Sequence, residues 1–108
     1  MHNTQISHNL DLLDSIPETH NDWKVTVIFY VAFHLIEKFL ATKNIHTTNH
    51  SQRFGYVRVI SELKRIACEY QTLYMSSIKS RYDCQSFKNE DVETLKSLLK
   101  KIEKEMPV

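Results

Sequence analysis

Thr26, Tyr30, His34 and Glu37 are spaced four, four and three residues apart inside an otherwise apolar stretch. On a helix that spacing puts them on one face. Burying polar groups costs free energy unless they find partners, so the stripe must meet solvent, a polar network or a cleft. Tyr30 supplies a ring able to stack on a base, and His34 a group able to take a proton. A second cluster reads His46-Thr-Thr-Asn-His50-Ser-Gln-Arg53. Histidines four apart can ligate zinc on a helix. Here Thr47-Thr48-Asn49 is poor helix sequence with no Cys or carboxylate close by, and no metal site is expected. The alternatives for the junction at His50, Ser51 and Arg53 are a plain helix cap or a seat for an anion on unbonded N–H groups. A third cluster, Ser80-Arg81-Tyr82-Asp83, sets Arg81 one turn beyond Ile78 and two beyond Tyr74, on an inward or cleft-facing side. An arginine there needs a carboxylate, helix carbonyls or a phosphate as its partner.

Charge is unevenly distributed along a chain whose net charge is only +1. Residues 1–49 carry three lysines against five acids, residues 50–88 seven basic residues against three acids, and residues 89–108 four lysines against five acids. The middle third is the part best suited to an anion. A single glycine, Gly55, excludes the phosphate-cradling and dinucleotide fingerprints, and no cofactor is expected. Cys68 and Cys84, sixteen apart, read as free thiols of a reducing compartment. The N-terminus, Met-His-Asn-Thr-Gln, lacks the regions of a signal peptide. The longest apolar run, Val25 to Ile36, is broken by Thr26, Tyr30 and His34 and reads as too short to span a bilayer. A cytoplasmic location without membrane contact is the expectation.

These clusters need elements to hold them. The 108 residues leave room for one domain, and the periodicity predicts an all-α bundle of four to five helices. The first helix is expected from Thr4 to Ser15, with Ile6, Leu10 and Leu13 on one face and Pro17 after it. The second opens at Asn21 or Asp22 and runs to about Lys43; being apolar nearly all round, it belongs at the centre. The third is expected from His50 to about Lys64, with Phe54, Val57, Ile60 and Leu63 inward, and the fourth from Ile66 to Tyr82. The last starts at Asn89, with acids in its first turn and Val92, Leu95, Leu99, Ile102 and Met106 as a stripe. At under three heptads, that stripe favours packing in the bundle over a coiled-coil seam.

In order and spacing, Asp22-Trp23, Phe29-Tyr30-Val31-Ala32-Phe33-His34, Asn49-His50-Ser51-x-Arg53 and Ser80-Arg81-Tyr82-Asp83 resemble the small bacterial members of the HEPN superfamily (higher eukaryotes and prokaryotes nucleotide-binding). The resemblance covers about residues 10–105. It implies a four- or five-helix bundle that pairs into a homodimer across the face carrying these residues. Many such proteins are ribonucleases of toxin, phage-defence or CRISPR-linked systems, with an Arg followed four to six residues later by His. After Arg81 this chain has no histidine, and Phe87 stands where one would be allowed.

The leading expectation is therefore a non-catalytic HEPN-like module that binds RNA, a nucleotide or a protein partner encoded nearby, in a defence or toxin–antitoxin setting. Arg53, Arg58, Arg65 and Arg81 would meet phosphates, and Tyr30 or Tyr82 would stack on a base. One alternative is a metal-independent ribonuclease using Arg81 with His34 or His50. The other is a purely dimerising structural domain.

Overall fold

A computed structural model describes Ile6, residues 21–82 and residues 87–106, with the side chain of Tyr82 left out. The expected first helix lies outside the described residues except for Ile6, which packs half-buried against the core. Among the described residues five helices follow in order: α1 Asn21–Thr42, α2 His50–Val59, α3 Ser61–Lys64, α4 Ala67–Tyr82 and α5 Asn89–Glu105. No strand occurs among the described residues, and the fold is all-α.

Helix α1 is the axle. At about 1.5 Å per residue its 22 residues span roughly 33 Å, most of the 39 Å long dimension of the molecule. It packs against both α4 and α5, which also pack on each other, while α2 lies against α4. Val25, Ile28, Val31, Ala32, Ile36 and Leu40 are all sealed from solvent. Burying a side chain of the Leu or Ile class contributes about 1.5–3 kcal/mol before entropy is counted. The expectation that this run is too short to span a bilayer is corrected: Thr26, Tyr30 and His34 sit within one continuous helix, long and apolar enough for a membrane by length and composition. Of its most apolar window, 67% is buried inside the protein, as a core helix requires.

Local chemistry explains the ends. Past Thr42, Asn44 takes a left-handed conformation (φ 60°), which asparagine tolerates better than most residues. The Asn44 N–H donates to Ala41 O at 3.0 Å and the Ile45 N–H to Leu40 O at 3.0 Å. These bonds satisfy carbonyls of the last turn, and Ile45 tucks against the core. Helix α2 opens on Asn49, whose side-chain oxygen accepts from the Gln52 N–H at 2.9 Å. Gln52 reaches back to the Thr48 N–H at 2.9 Å. Helix α5 begins where the Lys88 N–H donates to the Asp91 carboxylate at 2.9 Å.

One expected element is divided. The third helix does not run unbroken to Lys64: Ile60 is extended (φ −76°, ψ 125°) and separates α2 from α3. Consecutive β-branched Val59 and Ile60 disfavour helix. The Ile60 carbonyl still accepts from the Leu63 and Lys64 N–H groups at 2.9 Å each. The bend turns Leu63 and Ile66 fully inward while Val59 stays exposed. The last helix starts as expected at Asn89, and its stripe is a packing face: Val92, Leu95, Leu99, Ile102 and Met106 are all buried.

Candidate functional site

The polar face of α1 divides into two regions of different chemistry. At its C-terminal half Glu37 is buried and accepts from Arg53 Nε of α2 at 2.6 Å. The Thr47 hydroxyl donates to the same carboxylate oxygen. The Arg53 guanidinium also lies 4.0 Å from the centre of the Phe33 ring. A charge withdrawn from water this way needs such partners. Beside it His50 lies parallel to Tyr74 with ring centres 3.4 Å apart, and Tyr70 and Phe54 extend the stack. Burial in this stack pushes the His50 imidazole below its ordinary value; Gln71 opposes the shift and Arg53 adds to it. Tyr70 is fully buried, and burial raises its hydroxyl to about 12.

At the N-terminal half the same face is open. Asp22, Trp23, Thr26 and Tyr30 of α1, with Ser80 and Arg81 of α4, line a groove of about 240 Å³. The Thr26 and Ser80 hydroxyls share a hydrogen bond at 3.0 Å that ties the two helices along its floor. Trp23 is 64% exposed and Tyr30 40% exposed. Arg81 is exposed, and its Nε donates to the Ser77 carbonyl at 3.2 Å. The first turn of α1 is fixed to the start of α5 by the Asn21 side-chain amide, which donates to Phe87 O at 3.0 Å and to Asn89 Oδ1 at 2.8 Å.

The arginines of the basic middle third occupy four different settings. Arg53 is turned inward onto Glu37. Arg58, on the outer side of α2, lies over the Phe54 ring at 5.9 Å. Arg65 sits in the α3–α4 turn and meets Glu105 at 3.8 Å. Arg81 lines the groove with Tyr30. His34, half-buried one turn beyond Tyr30, makes an edge-on contact with Phe33 and is not part of the lining. His50 belongs to the aromatic stack instead. The Tyr82 side chain and Cys84 lie outside the described residues, and Cys68 is an exposed free thiol. No group of three or more His, Cys, Asp or Glu side chains able to hold a metal occurs among the described residues.

Two lining residues, Asp22 and Trp23, enter the sequence reading as a helix start and as part of the resemblance, and not as candidate site residues. Trp23, Thr26 and Tyr30 stand three and four apart, so Trp23 shares a helical face with the polar pair. That spacing is the signal that singles it out. No protein-family model, curated protein or solved structure matches this chain.

Proposed function

We propose that this chain is a non-catalytic, HEPN-like helical module that binds unpaired RNA or a nucleotide through the groove between α1 and α4. The observation that carries the reading is the presence of two exposed aromatic rings, Trp23 and Tyr30, beside Arg81 in one recess. Unpaired bases are held by aromatic faces, and their phosphates by arginine. No histidine follows Arg81, so the Arg–His pair of the ribonucleases this chain resembles is incomplete, which favours binding over cutting. The test is a titration with short single-stranded RNA at low salt. Saturable binding that weakens as salt rises is expected, because each phosphate contact releases counterions. Absence of binding, or indifference to salt, rejects the reading. RNA degraded in EDTA by the wild type and spared by Arg81→Ala would support the ribonuclease alternative instead.

Pairing into a homodimer is a second part of the proposal. Tyr56, Val59 and Met75, outside the groove lining, are large apolar side chains left exposed, and a domain this small gains stability by covering such surface. Sedimentation at micromolar concentration should give twice the 12.8 kDa chain mass; a single chain's mass would end that part.

A further inference from the structure

We propose that the α1–α4 groove selects guanine, with the Asp22 carboxylate pairing with the base edge, Trp23 or Tyr30 stacking on its face and Arg81 meeting the phosphate. This inference rests on the groove being a nucleotide site and adds the base it prefers.

Among the described lining residues Asp22 is the acid and Arg81 the cation, one from the first turn of α1 and the other from the last turn of α4. The first turn of α1 favours an acid, but in a groove indifferent to sequence a carboxylate that shares the lining with a phosphate-binding arginine repels the backbone that the arginine attracts. The carboxylate becomes an asset if it reads a base. An ionised carboxylate is an acceptor only, with two oxygens side by side. Unpaired guanine presents two adjacent donors, N1–H and the N2 amino group, and satisfies both oxygens with charge-assisted bonds. Adenine and cytosine each set one amino donor next to a bare ring nitrogen, and uracil flanks its single N–H with two carbonyl oxygens. Against each of these three, a carboxylate makes fewer bonds and meets at least one lone pair.

The site is also pre-organised. The Asn21 bonds to Phe87 and Asn89 fix the turn that carries Asp22 and Trp23, and the Thr26–Ser80 bond fixes α1 against α4. At about 240 Å³ the groove lies below the ~300–1,000 Å³ of pockets that bury drug-sized ligands. That scale suits one base, with its sugar and phosphate outside.

Trp23 is the only tryptophan in the chain, so intrinsic fluorescence reports on the groove directly. Wild-type protein is titrated with GMP, AMP, CMP and UMP, and with a short single-stranded RNA lacking guanine. The midpoint of each curve is read, not its amplitude, because bases quench indole unequally. The GMP midpoint should lie about tenfold below the other three, the order expected of one bidentate base contact. Asp22→Asn and Asp22→Ser should bring all four midpoints together while the helical circular dichroism and melting temperature hold. Equal midpoints in the wild type, or a guanine preference surviving both substitutions, overturns guanine selection and leaves the nucleic-acid groove standing. No saturable response to any nucleotide or to the RNA overturns both.

Discussion

Arg53 and Arg81 both lie on helices packed near α1, and they meet opposite fates. Arg53 is 5% exposed, ion-paired to Glu37 and laid over Phe33. Arg81 is exposed at a groove bordered by Asp22, Trp23 and Tyr30. A count of charges along the chain treats the two alike. The fold does not, because ion pairs form between segments that the count keeps apart. Glu37 belongs to the acidic first part of the chain and Glu105 to the last, and they meet Arg53 and Arg65 of the basic middle. One region has sealed its charged pair away from water. The other also ties two helices, through Thr26 and Ser80, and leaves Trp23, Tyr30 and Arg81 exposed at a groove.

The largest effect should come from breaking the closed region. Arg53→Ala leaves the buried Glu37 carboxylate without its cation and should cost about 3–5 kcal/mol in urea unfolding. Replacing both partners, Glu37→Leu with Arg53→Met, should recover much of that loss, because an apolar pair avoids the desolvation of two charges. A loss under about 1 kcal/mol for Arg53→Ala would place the pair with exposed salt bridges in energetic weight.

The open region should behave the other way round. Trp23→Ala removes an exposed ring, so stability should change by no more than about 0.5 kcal/mol. RNA affinity should fall by about 1–3 kcal/mol, the worth of one stacked base. Arg81→Ala should lower the slope of log affinity against log salt by about one. If Trp23→Ala unfolds the protein, the ring is structural and the contrast between the regions fails.

The seam of the groove gives a smaller and sharper test. Thr26→Val removes one side of the Thr26–Ser80 hydrogen bond while keeping the side chain's shape. About 0.5–1.5 kcal/mol should be lost in thermal melting. The affinity of the groove for RNA should weaken alongside if that tie positions its walls.

His50 yields the last prediction. Its pKa in the fold is lowered, chiefly by burial in the stack and further by Arg53, while the unfolded chain protonates near the ordinary 6.5. The unfolded state therefore binds more protons as pH falls. The contribution is fully present above 6.5 and is lost as pH drops from there towards the lower folded-state value. His50→Phe preserves a ring against Tyr74 and removes this dependence. Urea midpoints for the two proteins, compared between about pH 7.5 and about pH 5, should diverge only on the acid side. Parallel curves would show that His50 is not what the acid side titrates.

Much of the architecture was legible from residue order. The near-continuous girth of α1, the start of α2 at His50, the start of α5 and its buried stripe follow from periodicity and from end signals, both of which act within a few residues. The break at Ile60 was not, because Val59 and Ile60 weaken a helix without ending it. What turns the chain there is the burial of Leu63 and Ile66 against a core built from distant segments. The spacing of Thr26, Tyr30, His34 and Glu37 established that they share a face, and it left open which of them meets water.

The sequence alone determined an all-helical chain with a central apolar helix, a polar stripe along it and arginines concentrated in the middle third. Only the tertiary structure decided that Glu37 is sealed against Arg53, that Tyr30 opens beside Trp23 and Arg81, and that His50 is stacked in an aromatic cluster. Helical periodicity is set by local backbone geometry, which a short stretch of residues specifies. The fate of a polar side chain depends on which groups arrive from other helices to replace its water, and no local pattern encodes their arrival.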